Sequence, residues 1–489
     1  MAFFVITFAA YASAPSGLLC NHRRHPAVGV ATALPHFSWV VPHVEGCGTD
    51  QMQVAHQIQL VAAPRGALDH TSRVVLWDSG RTESVESIAV RPIAAVALEP
   101  TTRYHWRVRS WTTGAAGASE CASIYSDWAE VMTAPYLGFA ASTLPIWAPN
   151  AKALYTFHRL VVPAPASPIT GATAFVSALQ DTAEKLLGAY RLQIEGEALA
   201  IGPGRGDVAT SAGNHTPYDS MDVTHAVVAA KGAFAVGLQC FSRSNGAVLL
   251  EMHLEHADGS TSVVATNNAS GWASFDATAA YAPASVEGGY GAPQENIKAD
   301  LMPLGWSTAA YVPTAMAVWA PSRGLAAFAT YPKTTLPLNL TSRVVPPRFF
   351  QVGTAPDRWF ADFGTDFMGG LHLEVPPGAL PPSTAIRVTM SEEVRCSFIL
   401  CTADIDNVSL CESFSRFDSY HHLFGGKKLS LSGISPTPPR CCTRCVRGTS
   451  TAPCGLRVQM RRKRVSSSTM STWSSAMLRL SSARRAPRE

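Results

Sequence analysis

At 489 residues, with 47% hydrophobic and 15% charged side chains, the chain is long enough for two to four domains with buried cores and is not a disordered one. No apolar run reaches the ~18 residues of a membrane span, so no membrane partner is expected. The formal charge of +4 comes from the end of the chain: twelve of 39 Lys/Arg and one of 35 Asp/Glu lie from Arg440 onward, so the body is acidic on balance, and with no nucleic-acid reading motif that partner is excluded.

Thirty-six Gly and 34 Pro break the sequence into short segments, as an all-β protein of many tight turns requires. Residues 1–14 form an apolar run of signal-peptide length ending in Ala12-Ser13-Ala14, but without a basic start and with Pro15 following. Four Asn-x-Ser/Thr sequons, at Asn214, Asn268, Asn339 and Asn407, tilt slightly towards secretion. Secretion and a cytoplasmic location both stay open, leaning to the latter.

Residues 15–135 read as a first sandwich of the fibronectin type III kind: short strands, tight turns, no helical period. "HQIQLVA" puts Ile58 and Leu60 on one strand face, and "VVLWDSGRTESVESIAV" reads strand, turn, strand. "TRYHWRVRSW" alternates strictly, with Tyr104, Trp106 and Val108 expected inward. Arg103, His105, Arg107 and Arg109 occupy the other face, expected to be solvated.

A Pro/Ala-rich join leads into a second sandwich over 150–332. "LGAYRLQIEGEALAIG" reads strand, turn, strand, with the turn at Glu195-Gly196. "VLLEMHLEHADGSTSVVAT" reads as a hairpin on Asp258-Gly259 with Leu250, Met252 and Leu254 inward and His253 on the polar face. His253 and His256 do not have the spacing of a zinc motif, and "GPGRGD" lacks the Lys-Ser/Thr of a phosphate loop. No metal or cofactor is expected.

A third unit, 336–394, contains "WFADFGTDFMGGLHLEV", two short strands about a Gly-punctuated turn bracketed by Asp362 and Asp366. Beyond it the alternation fails. Residues 395–489 read as an irregular, basic, Cys/Ser-rich tail that does not continue the preceding domain. Seven of the eleven cysteines crowd into this tail. "CCTRC" is half a zinc motif at most, and the four dispersed cysteines (Cys20, Cys47, Cys121, Cys240) do not make a disulfide framework.

Several stretches resemble, in order, one family: the bacterial-type α-L-rhamnosidases. "GLLCNHRRHPAVGVATALPHFSW" is similar to the family's N-terminal start, with His36 where the family has Arg. "LWDSGRTES" and "TRYHWRVRSW" resemble the sandwich that follows. "LGAYRLQIEGEALAIGPGRGD" with "YDSMDVT" resembles a jelly-roll-like, carbohydrate-binding-like module, although Glu195 stands where the family usually has Asn. "APQENIKADLMPLGW" resembles a Glu-x-Ile-Asp-Ala-Arg…Gly-Trp segment, departing at Lys298-Ala299-Asp300. The Asp362 stretch resembles an Asp-Phe-Gly-x-Asn-Phe-x-Gly signature early in a concanavalin-like β-domain, with Asp366 in the Asn place.

The resemblance implies tandem sandwiches ahead of a catalytic barrel of twelve helices, which cleaves terminal α-L-rhamnosyl residues from glycans or glycosides by an inverting, two-carboxylate mechanism. Such a pair stands ~6.5–9.5 Å apart so that a water fits between. Asp362 and Asp366, four residues apart across a turn, are expected to be turn residues instead. The family's Asp-Glu-Arg acids do not occur in this chain, and the 95 residues after Val394 are too few for twelve helices of ~11–12 residues. The expectation is a truncated, non-catalytic front half, from a disrupted gene model or a short isoform. Its rivals are a free-standing carbohydrate-binding protein and a structural scaffold.

If the second module holds a rhamnose-containing ligand, Tyr190, Glu195, Trp272 and Glu295 are its candidates. Aromatic rings pack on the C–H faces of sugars while a few polar groups fix orientation. Core packing is the competing and stronger reading for Tyr190 and Trp272. Glu195, beside Gly196 in a tight hairpin, is expected to point outward. Oligomeric state is not legible.

Overall fold

The computed structural model describes residues 13–62, 74–92, 97–114, 119–179, 188–203, 216–242, 246–267, 269–281, 297–315, 317–328, 330–332, 341–352, 358–363, 365, 369–373, 385–390, 455–461 and 478–484. The chain divides into two compact units, Met1–Pro337 and Leu338–Glu489. The leader-like residues 1–12, all four sequon asparagines, Asp366 and the CCTRC stretch lie outside the described residues.

The first sandwich is built from β1 (Ser16–Cys20), β2 (Arg23–Arg24), β3 (Ala27–Val30), β4 (Phe37–Val40), β5 (Met52–Ala62), β6 (Val74–Asp78), β7 (Thr82–Glu83), β8 (Arg103–Thr113), β9 (Glu120–Ala122) and β10 (Ala129–Thr133). One sheet runs β2-β1-β4; the other runs β3-β10-β8-β5-β6, with β7 on β5 and β9 on β8. Period-two alternation brings Ile58, Leu60, Tyr104, Trp106 and Val108 against Cys20, Phe37 and Trp39 from the facing sheet, as the pattern predicts.

The second sandwich follows in the same unit: β11 (Ile146–Trp147), β12 (Tyr155–Val162), β13 (Ile169–Ala178), β14 (Ala189–Ile194), β15 (Glu197–Gly202), β16 (Thr216–Asp222), the short helix α1 (Thr224–Ala229), β17 (Phe234–Phe241), β18 (Val248–His256), β19 (Thr261–Ala265), β20 (Ala273–Asp276), β21 (Ala320–Pro321), β22 (Arg323–Gly324) and β23 (Thr330–Pro332). Its sheets run β22-β11-β18-β13-β16-β23, with β19 on β18, and β15-β14-β17-β12-β20-β21. Leu250, Met252 and Leu254 of one sheet meet Leu192, Ile194, Val236 and Leu238 of the other in a dry core. Among the described residues α1 is the only α-helix, so the all-β reading holds.

The expectation of a solvated face on β8 is corrected. Arg103 and His105 are 5% and 2% exposed, because the start of β8 is covered by the second sandwich. The Arg103 guanidinium donates to Glu255 of β18 at 2.6 Å, to Glu130 of β10 at 3.0 Å and to the Thr173 hydroxyl of β13 at 3.2 Å. The polar face of β18 is covered in part by the joining segment: Glu251 is 2% exposed and accepts from His253, Thr143 and the Ala140 amide. Beside this polar seam, Val28, Met132, Phe175 and Tyr218 pack together. Gly29, at φ +77°, allows a close approach, since a Cβ there would stand 2.5 Å from Ser220 of β16.

The cysteine reading is also corrected at one pair. Cys47, in the loop after β4, is joined by a disulfide to Cys121 on β9, with Cα atoms 5.8 Å apart, although 74 positions separate them in sequence. Cys20 and Cys240 are buried thiols whose pKa values burial pushes up.

The second unit comprises β24 (Thr341–Val345), β25 (Phe349–Val352), β26 (Arg358–Asp362), β27 (Gly369–Leu373), β28 (Ala385–Met390), β29 (Gly455–Arg461) and β30 (Leu478–Arg484). The two strands flanking the Gly-punctuated turn belong to different sheets, β26 to β25-β26-β29-β28 and β27 to β24-β30-β27. Strands β29 and β30, drawn from 395–489, are each flanked by two partners in their sheets. Leu456, Val458 and Met460 alternate with Arg457, Gln459 and Arg461, a strand pattern obscured by the surrounding Ser/Arg bias.

Replacing Arg103 by Met would remove the cation that Glu255 and Glu130 share in a buried seam. Breaking a buried charge cluster from one side costs about 3–5 kcal/mol. Urea denaturation should show a loss of that size for R103M, and a loss under about 1 kcal/mol would contradict the placement of Arg103.

Candidate functional site

A sandwich that binds a sugar on a sheet must leave aromatic faces and polar groups open there. The outer face of the β15-β14-β17-β12-β20-β21 sheet carries Tyr155, Phe157 and Arg159 of β12, Gln239 and Phe241 of β17, and Phe275 of β20. The chain itself covers that face. Residues 297–315 and 317–319 return across it, and the Trp306 indole lies flat on Phe157, with ring centroids 4.8 Å apart and planes 14° apart. Gly237 makes room for that ring, since a Cβ there would stand 2.9 Å from Trp306 and Ser307.

Two charged side chains hold the covering segment in place. Arg159 donates to the Trp306 carbonyl at 2.9 Å and the Thr308 carbonyl at 3.0 Å, and its guanidinium stacks over Tyr311 and Trp319. Glu195, in the turn between β14 and β15 at φ 48°, accepts through Oε1 from the Ala235 amide at 2.6 Å and the Ala309 amide at 2.8 Å. Its neighbour Gly196 donates to the Ser307 carbonyl at 3.1 Å. The expectation that Glu195 points outward is therefore corrected: its carboxylate fastens the covering segment to the sheet.

Tyr190 and Trp272 are each 2% exposed and sit in the core between the sheets. The Tyr190 hydroxyl donates to Asp219 at 2.6 Å, and burial together with that carboxylate raises its pKa well above the ordinary tyrosine value. The Trp272 indole N–H donates to the Ala265 carbonyl at 2.9 Å. Glu295 lies outside the described residues. The structure thus brings Tyr190 and Trp272 into one core and sets Glu195 on the covering segment, so these three described residues form no open set. Trp306 carried the missed signal: an aromatic after Pro303 and Gly305, in a stretch too irregular to read as a strand.

The remaining arginines of β8 form a closed network on the first sandwich. Arg107 stacks on Tyr125 and Trp128, Arg109 on Trp111 and Tyr125, and Arg81 on Trp111. Arg107 also donates to Gln59, Arg109 to Gln57, and Arg81 to Glu83 and Glu120. Each of these arginines is therefore held by partners within the face. Asp362 is half-buried and its carbonyl accepts from the Arg348 amide. His158 is wholly buried and its pKa is pushed down to about 3, so it stays neutral and sealed from any substrate. Among the described residues no cluster of His, Cys, Asp and Glu has the makings of a metal site.

Glu195→Ala removes the acceptor that the Ala235 amide of β17 and the Ala309 amide of the covering segment share. Hydrogen bonds to a charged group contribute about 1.5–3 kcal/mol, so stability should fall by that order and the Ala309 amide should exchange faster with deuterium. Unchanged exchange at Ala309 would contradict the fastening role.

Residues 15–131 match the family described as Rha78A-like, N-terminal immunoglobulin domain. No curated protein matches the sequence. Among solved structures, the α-L-rhamnosidase of Dictyoglumus thermophilum is similar at 19% identity and TM-score 0.55, covering 78% of this chain and 42% of its own. The native α-L-rhamnosidase of Aspergillus terreus is similar at 18% identity and TM-score 0.52, with the same coverage of 78% and 42%. The chain thus spans less than half the length of these structures. Residues 15–131 are similar to a Rha78A-like N-terminal immunoglobulin domain, and over 78% of its length the chain resembles α-L-rhamnosidase structures in fold.

Proposed function

We propose that the chain is the β-rich, accessory part of an α-L-rhamnosidase-type glycoside hydrolase, an inverting enzyme acting on terminal α-L-rhamnosyl residues of glycans or glycosides. The observation that carries this reading is the match of residues 15–131 to the N-terminal module, joined to a fold likeness extending over 78% of the chain. In this reading the chain supplies rigid modules beside a catalytic domain and no acid/base pair of its own. Glycoside hydrolysis needs an acid on the leaving oxygen and a second carboxylate across the bond. Among the described residues, the buried carboxylates Glu251 and Glu255 are spent on the seam between sandwiches. Asp362, the last residue of β26, and Asp366 are given no catalytic role in this reading. The covered sheet of the second sandwich favours a positioning role over sugar capture on that face.

The purified 489-residue chain should therefore release no rhamnose from an aryl α-L-rhamnoside above background. General acid–base catalysis alone contributes about 10²–10⁴-fold, so the shortfall is readily measured. Turnover that disappears in Asp362→Asn or Asp366→Asn would place the acid in this chain and overturn the reading. A transcript read in all three frames across the Val394 codon should reveal the Asp-Glu-Arg motif downstream.

A further inference from the structure

Away from the covered sheet, the second sandwich has an open cleft of about 270 Å³ where the segment after β12 passes the β18–β19 turn. Its floor is apolar, formed by Pro163, Pro165, Ile169 and Leu254. Its rim is polar, formed by His256, Asp258, Ser260 and Ser262. The walls are tied together: the Ala257 amide donates to the Pro168 carbonyl at 2.8 Å and the Asp258 amide to the Ser167 hydroxyl at 3.2 Å. Such a cleft is formed before any ligand arrives, which lowers the ordering cost of binding.

The rim's hydrogen bonds have a direction. The Ser167 carbonyl can only accept, so the His256 Nδ1, 3.2 Å away, carries the proton. In the neutral ring Nε2 is then an acceptor, and the Ser262 hydroxyl, 2.8 Å away, gives its proton inward. The Ser260 hydroxyl likewise donates inward, to Asp258 Oδ1 at 2.6 Å, where the Ser260 amide also converges. Asp258 Oδ2 takes no part in these bonds, and the Asp258 pKa is lowered chiefly by the bonds from Ser260, which favours the carboxylate. The rim therefore offers the cleft oxygen lone pairs from Ser260, Ser262 and Asp258, with the hydroxyl protons already committed.

We propose that this cleft binds one neutral, hydroxyl-rich sugar unit with an apolar edge, a 6-deoxyhexose, its hydroxyls donating to the Asp258–Ser262 rim and its methyl and C–H edge resting on Pro163, Pro165 and Ile169. An acceptor rim over an apolar floor selects a donor-rich, partly apolar ligand and disfavours anions. The volume is below the ~300–1,000 Å³ of drug-sized sites, so it suits a single ring. The choice of L-rhamnose as that ring rests on the function proposed above.

The test titrates the full chain with methyl α-L-rhamnopyranoside, read by ligand-observed saturation-transfer NMR, with ethanolamine as a cationic donor probe. Asp258→Asn keeps the Oδ1 turn bonds while making the outward group a donor; Ala164→Trp fills the cleft from an exposed position. Binding of the rhamnoside at millimolar concentration or below, weakened at least tenfold in both variants with unchanged melting, is expected. Absence of saturation transfer to the wild type, binding unaffected by both variants, or tighter binding of ethanolamine would each overturn the proposal. None of these outcomes bears on catalysis or on the downstream transcript, so the failure of this site and the failure of the proposed function are told apart.

Discussion

The first unit depends on one buried cation. Arg103 stands between Glu255 of the second sandwich and Glu130 of the first, with the Thr173 hydroxyl as a third acceptor. A guanidinium removed from water is costly unless its donors are met, and these acceptors come from both sandwiches. Separating the sandwiches would strip Arg103 of Glu255 and Thr173 together. The apolar contacts of Val28, Met132, Phe175 and Tyr218 supply the non-directional attraction beside it. The charge cluster adds directional contacts across the join, and Gly29 lets the backbone of β3 come close to Ser220 of β16.

A rigid pair of sandwiches gives the accessory reading physical content. A spacer is useful when its ends keep a fixed relation, and a buried ionic seam resists the sliding that an apolar contact alone would permit. The covered sheet of the second sandwich follows the same economy. Its aromatic face is closed by Trp306, with Arg159 and Glu195 as fasteners, so the module carries no exposed aromatic platform there. Among the described residues, a small cleft at the β18–β19 turn stays open, with polar groups on one side.

Local pattern made the strands legible. The alternation in "TRYHWRVRSW" and "VLLEMHLEH", and the turns at Glu195-Gly196 and Asp258-Gly259, carry period and turn chemistry that survive folding. What each polar face meets is a long-range fact. Arg103 and Arg107 share a strand face four residues apart, yet one is buried against a second domain and the other stacks on Tyr125 and Trp128. Nothing within a strand's own period separates those two outcomes. Glu195 was misread for the same reason, because its partner Ala309 lies 114 positions away. The Cys47–Cys121 bond, closing 74 positions, was equally hidden. Strand β29 is the exception, since its alternation was present locally and was masked by the serines and arginines around it.

The central claim is that the two sandwiches of the first unit unfold as one body because the Arg103 seam couples them. Hydrogen exchange read by mass spectrometry across a urea series tests this most directly, since separate cooperative units lose protection at separate denaturant concentrations. The account predicts that amides of β8 in the first sandwich and of β13 and β18 in the second lose protection together, at one urea concentration. Loss of protection in β8 at a lower concentration, with β13 and β18 still protected, would contradict it.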